Sequence, residues 1–142
     1  MNDALLSSES QDWATPPDFF AALHARFAFT LDAAASAENA KCTHYFTPEQ
    51  DGLSQNWGGQ RVWCNPPYGR EIGKWVRKGY EEAQKPGTLV VMLLPSRTDT
   101  AWYHDYCTRG VIRHLRGRLK FGDGSCPAPF PSMLVLFGFY DL

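Results

Sequence analysis

The sequence has only four cysteines, and no two of them are close along the chain. Without a Cys-x-x-Cys pair, neither a zinc site nor a disulfide framework is predicted from Cys42, Cys64, Cys107 and Cys126. The four histidines also lack the spacing of metal ligands. We therefore expect no metal site, and reduced thiols in a cytoplasm.

A strong excess of either charge is absent as well. The 14 Lys and Arg residues are matched by 15 Asp and Glu residues, which leaves a net charge of −1. A protein that binds nucleic acid by charge alone would be clearly basic, so this class is excluded. An enzyme that touches nucleic acid through one local patch is not excluded.

Long apolar runs are missing too. No stretch approaches the ~20 apolar residues that span a bilayer, so no membrane span is predicted. The N-terminal stretch MNDALLSSESQDW has neither a basic start nor an apolar run, which argues against a secretory signal.

What the sequence does have is enough apolar material for one compact core. It contains 142 residues, of which 44% are hydrophobic and 14% aromatic, and this length favours one domain. Residues 1–12 are polar and are expected to form a flexible N-terminal segment. We expect a single domain over residues 13–142.

Helical and strand patterns alternate along that domain. Apolar residues at helical spacing predict helices in WATPPDFFAALHARF, REIGKWVRKGYEEAQ and TDTAWYHDYCTR, with Thr15 as a cap of the first and Thr98 or Thr100 near the start of the third. Strands are predicted in AFTLDAAA, RVWC, PGTLVVMLLP and SMLVLFGFY, a strand followed by a turn in VIRHLRGRLKFG, and at most a short strand near THYFT. The alternation predicts an α/β three-layer domain with a mainly parallel sheet.

Polar side chains follow two of the predicted strands. Asp32 comes directly after FTL, and Asn65 comes directly after VWC. Ligands of open α/β sheets bind beyond the carboxyl ends of the strands, so both side chains are candidates for a binding site.

The stretch VWCNPPYGRE is consistent with a turn or with an active-site loop. An Asn-Pro-x-Tyr docking peptide is formally present as well. The Asn65 side-chain oxygen and the Pro66 carbonyl are two hydrogen-bond acceptors on a backbone that Pro67 helps to stiffen. They suit a planar NH₂ group, because they would stabilise the positive charge that grows on its nitrogen during attack. Tyr68 is expected to lie flat against such a group.

Several stretches together resemble one family. Asn-Pro-Pro-Tyr after a strand is similar to the catalytic motif of amino-group methyltransferases that use S-adenosylmethionine. Further stretches resemble one family of these enzymes, the small phage-type, Dam-like DNA N6-adenine methyltransferases. These stretches are DWATPPDFF, FTLDAAAS, VWCNPPYGREIGKWVRKG, LLPSRTDTAWYHD, RGRLKFG and APFPSMLVLF. The resemblance runs from Asp12 to Phe137 and implies a Rossmann-like methyltransferase domain. It also implies methyl transfer from S-adenosylmethionine to adenine N6 at specific sites in DNA.

The resemblance assigns roles to three groups of residues. Cofactor contacts are implied for residues of the N-terminal element and of the first strand end, namely Trp13, Thr15, Pro16, Asp32, Ala33 and Ala34. Asp32 would meet the ammonium group of the cofactor, although it could also simply cap a helix. The flipped adenine would be held by Asn65, Pro66, Pro67 and Tyr68.

The cofactor site departs from a common pattern at one place. Many methyltransferases have a Gly-rich loop after the first strand, whereas this chain has DAAAS. By order along the chain, the candidates for the acid that binds the cofactor ribose are Asp51 and Glu49. We expect it to be Asp51, although this residue could also belong to an ordinary Asp-Gly turn.

DNA is the expected partner, and its target base must leave the duplex to be reached. Phosphate contacts are expected from basic residues, which could alternatively form a solvated face; these are Arg70, Arg97, Arg116, Arg118 and Lys120. The last three alternate along the chain, so they would share one face if that segment is a strand. Arg70 and Arg97 each follow a predicted strand end.

Other functions remain open from the sequence. Asn-Pro-Pro-Tyr also occurs in methyltransferases that act on protein glutamine or on guanine in RNA, and a catalytically inactive relative could bind nucleic acid only. A phage or prophage origin is expected. The protein would then work in the cytoplasm of a bacterial host, in protection from restriction or in regulation.

Overall fold

The computed structural model describes residues 13–122 and 127–138. Its helices are α1 (Pro17–Phe27), α2 (Ile72–Glu82) and α3 (Ala101–Asp105), and its strands are β1 (Leu31–Asp32), β2 (Arg61–Cys64), β3 (Leu89–Pro95), β4 (Val111–His114) and β5 (Ser132–Gly138). The predicted N-terminal segment, Cys126 and the last two residues of SMLVLFGFY lie outside the described residues. Over the residues described, the helices are too short or too polar to cross a bilayer.

The start of helix α1 is set by two prolines. Pro16 is the N-cap and Pro17 opens the first turn, in which an N–H would have no partner anyway. No side chain caps this end, so the prediction that Thr15 caps the helix is wrong. Helix α3 does follow its prediction, because the Thr100 hydroxyl accepts a hydrogen bond from the Tyr103 N–H.

The sheet is mixed rather than mainly parallel, which corrects the prediction. The described strands run in the order β1-β2-β3-β5-β4. The β1–β2 and β2–β3 pairs are parallel, whereas β5 is antiparallel to both of its neighbours. A parallel pair needs a crossover, usually a helix, and α2 supplies one between β2 and β3. The connection from β4 to β5 has no helix in its described part, so these two strands pair as a hairpin would.

Both faces of the sheet are covered, as the three-layer prediction requires. Residues of β3 alternate between two apolar clusters, one with Val90 and Met92 and the other with Leu89 and Val91. The first cluster includes the inner face of α2, with Ile72, Trp75 and Val76, and the second includes Phe20 and Phe27 of α1. This explains the continuous apolar run of β3, since a strand buried on both faces has no polar side.

The predicted short strand near THYFT is present as a single bridge beside β1. Tyr45 pairs with Asp32 in parallel, the Asp32 N–H donates to the His44 carbonyl, and the Phe46 N–H donates to the Asp32 carbonyl, each at 3.0 Å. The carboxyl end of β1 is thereby held between β2 and residues 44–46.

In VIRHLRGRLKFG the predicted strand is present and is followed by a bend. β4 stops at His114, and residues 115–122 are irregular, with Gly117 at a φ of 75°. Arg116, Arg118 and Lys120 lie in this irregular part, so the condition under which they would share one face of a strand is not met. Instead the segment folds over the N-terminal residues, because the Gly122 N–H donates to the Ala14 carbonyl at 3.0 Å.

Candidate active site

A cavity of about 540 Å³ lies at the carboxyl ends of β1 and β2. This volume is in the range of about 300–1,000 Å³ that small-molecule sites occupy. Asp32 from β1 and Asn65 after β2 both line it, so the structure brings together the two side chains that follow these strands.

Asn65 is oriented by the segment that precedes α1. Its Nδ2 donates to the Trp13 carbonyl and to the Thr15 hydroxyl, the latter at 3.0 Å. Because a carbonyl can only accept, the amide must present its nitrogen to Trp13 and its oxygen to the other side. That oxygen, Oδ1, is buried and has no hydrogen-bond partner among the described residues.

An unpaired buried acceptor is unfavourable, at a cost of about 1–3 kcal/mol. Native proteins pair nearly all such atoms, so an unpaired one calls for an explanation, and a catalytic role is one of those known. Asn65, which carries this unpaired oxygen, is one of the residues that line the cavity. The arrangement is therefore suited to accept a hydrogen bond from a donor that enters the cavity.

The rest of the motif divides between the cavity and the core. Pro66 and Pro67 line the cavity, whereas Tyr68 is not among its lining residues. The Tyr68 side chain is buried, and its hydroxyl donates to the Leu93 carbonyl of β3 at 2.9 Å. Burial raises the pKa of this hydroxyl well above its ordinary value. Tyr68 thus fastens the motif to the sheet, and its predicted stacking on the base stays a prediction.

Asp32 is a buried carboxylate whose two oxygens already accept backbone hydrogen bonds. Oδ1 accepts from the Ala34 N–H at 3.3 Å and Oδ2 accepts from the Lys41 N–H at 2.9 Å. Burial raises the pKa of this carboxyl above its ordinary value, and the hydrogen bonds and the Lys41 charge only partly oppose the increase. A cationic group that entered the cavity would meet a carboxylate with little competing solvent.

The other predicted cofactor residues are divided between the cavity wall and its surroundings. Trp13, Thr15, Ala33 and Ala34 line the cavity, but Pro16 does not. Of the two ribose candidates, Asp51 lines the cavity and Glu49 does not. Asp51 has a left-handed backbone, with a φ of 55°, and its carboxylate accepts from the Leu53 N–H at 3.3 Å. The turn and the ligand interpretations of Asp51 are therefore compatible.

Several wall residues were not predicted from the sequence. They come mainly from the 36–53 loop and from the start of α2, and include Asn39, Lys41, Phe46, Gly52, Leu53, Glu71, Lys74 and Trp75. Their only sequence signal is nearness to Asp32, Asp51 or the motif, because the loop has no periodic pattern. Lys74 is paired with Glu71 at 3.0 Å.

The five basic candidates for DNA contact are exposed and lie outside the cavity wall. Residues 115–122, which we call the basic loop, nevertheless lie beside the site. The ring of Phe121 contacts the ring of Trp13 edge-on, with centroids 5.6 Å apart. Within the loop, Arg118 donates to the Ala128 carbonyl at 3.3 Å. The loop is therefore attached to the same segment that orients Asn65.

Comparisons with known proteins identify the family of this chain. The DNA N-6-adenine-methyltransferase (Dam) family model matches residues 3–132. A DNA N-6-adenine-methyltransferase of Haemophilus phage HP1 is 32% identical over 140 residues, which cover 92% of this chain and 80% of that protein. A DNA N-6-adenine-methyltransferase of Escherichia phage T1 is 39% identical over 93 residues, which cover 64% of this chain and 38% of that protein. This chain belongs to the DNA N-6-adenine-methyltransferase (Dam) family.

Proposed function

We propose that this protein transfers a methyl group from S-adenosylmethionine to the N6 amino group of adenine in DNA, and that Asn65 is the residue that receives the amino group. The observation that carries the proposal is that Asn65 lines the cavity and that its buried Oδ1 has no hydrogen-bond partner among the described residues. Family membership supplies the substrate class, and the geometry supplies the atom at which the substrate amine would be held.

The role of Asn65 follows from the chemistry of an aromatic amine. The lone pair of such an amine is delocalised into the ring, so the nitrogen is a weak nucleophile. Asn65 Oδ1 accepts a hydrogen bond from the amine and stabilises the positive charge that develops on nitrogen. The hydrogen bonds from Nδ2 to Trp13 and Thr15 hold the amide before the substrate arrives. No general base is needed before attack, because the proton can leave afterwards.

The residues of the cavity fit the proposed cofactor. When bound, S-adenosylmethionine supplies an electrophilic methyl group on a sulfonium centre. Asp32 is buried at the wall and would hold its ammonium group, and Asp51 would hold its ribose. Aromatic rings at the wall, Trp13, Phe46 and Trp75, supply apolar surface and exclude water from the site.

Access of adenine requires that the base leave the duplex. Unpairing and unstacking cost a few kcal/mol, which phosphate contacts offset. We assign these contacts to Arg70, which follows the motif, to Arg97, which follows β3, and to the exposed cations of the basic loop. This assignment agrees with a net charge of −1, because it needs one local patch rather than a basic protein.

The test is methylation by an Asn65→Ala variant with a control substitution. Loss of one preorganised polar group that stabilises the transition state costs roughly 10²- to 10³-fold in kcat. We expect a loss of this size with little change in the affinity for S-adenosylmethionine measured by calorimetry. Asn56→Ala is the matched control, because Asn56 is exposed and does not line the cavity.

Tritium transfer should be measured in parallel into DNA, tRNA and a release-factor protein. Label in DNA that appears as N6-methyladenine supports the proposal. Label in the protein or the tRNA alone would assign the same acceptor chemistry to a different substrate. Near wild-type methylation by Asn65→Ala would remove Asn65 from the mechanism.

A further inference from the structure

We propose that Lys41 binds the carboxylate at the amino-acid end of the cofactor, so that Asp32 and Lys41 together form a site for a zwitterion. The proposal rests on the proposed function, since it identifies a further residue of the same cavity. It concerns only ligands that carry both an α-ammonium group and a carboxylate.

The backbone N–H groups of residues 33–36, directly after β1, are all already used. The Ala33 N–H donates to the Trp63 carbonyl at 3.0 Å and the Ala35 N–H donates to the Phe46 carbonyl at 2.9 Å. The other two N–H groups of residues 33–36 donate to side chains, Ala34 to Asp32 at 3.3 Å and Ser36 to Asn39 at 2.8 Å. A carboxylate beside residues 33–36 therefore finds no free backbone N–H there, and a side-chain donor can take that place.

Lys41 is in position to be that donor. Its own N–H donates to Asp32 Oδ2 at 2.9 Å, which fixes its backbone beside the carboxylate that would hold the ammonium group. Lys41 is partly buried and lines the cavity, and its charge acts on Asp32. Over the residues described, the Lys41 ammonium makes neither an ion pair nor a hydrogen bond.

Lys74 is the other lysine at the wall, and it is less suited to this role. Its ammonium is 3.0 Å from the Glu71 carboxylate, and both side chains are largely exposed. Its charge is therefore already neutralised by a neighbour. The cavity thus combines a buried carboxylate with an unpaired cation at adjacent positions, which matches the two opposite charges of an amino-acid group.

The experiment compares two ligands that differ only in the carboxylate. Calorimetry would measure the binding of S-adenosylmethionine and of decarboxylated S-adenosylmethionine to the wild type and to Lys41→Met, Lys41→Arg and Lys74→Met. A hydrogen bond between charged groups is worth enough that Lys41→Met should weaken S-adenosylmethionine binding roughly 10- to 100-fold. Binding of the decarboxylated ligand should be unchanged or tighter, and Lys41→Arg should retain most of the preference for the carboxylate.

Each other result has a defined meaning. Equal weakening of both ligands by Lys41→Met, or no weakening of either, would overturn the assignment, and a selective loss in Lys74→Met would transfer it to Lys74. Selective loss in Lys41→Met with no methylation of DNA by the wild type would keep the cofactor site and overturn the proposed function. A wild type that binds neither ligand would overturn both. Circular dichroism confirms that each variant is folded.

Discussion

The hydroxyl of Thr15 accepts a hydrogen bond from Asn65 instead of capping α1. Thr15 is buried, and 50 residues separate it from Asn65 along the chain. It acts through another side chain, and we therefore regard it as a positioning residue. Thr15 also lines the cavity, which is compatible with the cofactor contact that the resemblance implies.

Thr15→Val removes the acceptor and keeps the shape of the side chain. Asn65 Nδ2 then loses one of its two acceptors, so the amide is held less firmly, and kcat should fall about tenfold for the ~1.4 kcal/mol that such a bond contributes. Thr15→Ser restores the hydroxyl and should restore kcat. A rise in the Kd for S-adenosylmethionine that is larger than the fall in kcat would instead show a direct cofactor contact.

The raised pKa of Asp32 predicts how cofactor binding depends on pH. Burial favours the neutral carboxyl, whereas an ammonium ligand needs the ionised form. Affinity for S-adenosylmethionine should therefore fall as pH decreases through the raised pKa, at a higher pH than for an ordinary aspartate. Calorimetry from about pH 4 to 7 avoids deprotonation of the ligand's own ammonium group. The Asp32→Asn variant should bind S-adenosylmethionine weakly, with an affinity that does not change with pH. If the variant keeps the pH dependence of the wild type, Asp32 is not the partner of the ammonium group.

At the scale of elements, α2 supports the cavity through a chain of contacts. Glu82 accepts a hydrogen bond from the Trp57 N–H at 2.6 Å, and the Trp57 indole donates to the Gly52 carbonyl at 2.9 Å. Burial raises the pKa of Glu82, but hydrogen bonds from Lys85 and from the Trp57 N–H, with nearby lysine charges, outweigh it and the pKa is lowered. These hydrogen bonds hold the Gly52–Ser54 turn in contact with the residues after β1.

Gly52 lies so close to Ala33 and Trp75 that there is no space for a side chain at this position. A Cβ built there would overlap the Ala33 carbonyl oxygen and would touch the ring of Trp75 at 3.0 Å. Gly52→Ala should therefore lower the free energy of unfolding by about 1–3 kcal/mol, as overpacking does. It should also weaken cofactor binding, because both Gly52 and Ala33 line the cavity. Urea denaturation and calorimetry would measure the two effects.

Gly59→Ala is the matched control for that substitution. Gly59 has a φ of 75°, so alanine there is strained, but a Cβ would meet nothing within 4 Å. It should cost stability without changing cofactor affinity. Equal effects of the two substitutions on affinity would contradict the close-contact explanation.

At the scale of the whole molecule, the proposed DNA contacts need only one local basic surface. Arg116 and Lys120 are exposed on the basic loop, which packs on the segment that orients Asn65. The double variant Arg116→Gln, Lys120→Gln should weaken DNA binding and flatten its salt dependence, by about 0.9 in log K against log salt for each phosphate that is no longer neutralised. Anisotropy titrations over a range of salt concentrations measure this slope.

Arg77→Gln is the control for the basic loop. Arg77 is exposed on α2 and is paired with Glu81 at 3.1 Å. It should leave the salt dependence of DNA binding unchanged. Equal slopes for the double variant and the wild type would place the DNA surface elsewhere on the molecule.

Local patterns in the sequence were enough to identify most elements and the two side chains at the strand ends. Helical spacing marked the buried face of α2, and the apolar run marked β3 as covered on both sides. Both signals are local, because periodicity reports which face of an element is buried. Asp32 and Asn65 were found for a similar reason, since a polar residue directly after an apolar strand stands out. The Asn-Pro-Pro-Tyr motif and the stretches around it indicated the family.

How those parts meet is set by packing between distant parts of the chain. The direction of β5, the burial of Tyr68 and the contacts of Thr15 and Lys41 each depend on residues far away in the chain or in irregular loops. Such contacts leave no periodic trace, because they follow from how the layers pack. The orientation of the Asn65 amide is the clearest case. The side chain has both a donor and an acceptor, and the Trp13 carbonyl takes the donor, which leaves the oxygen without a partner among the described residues.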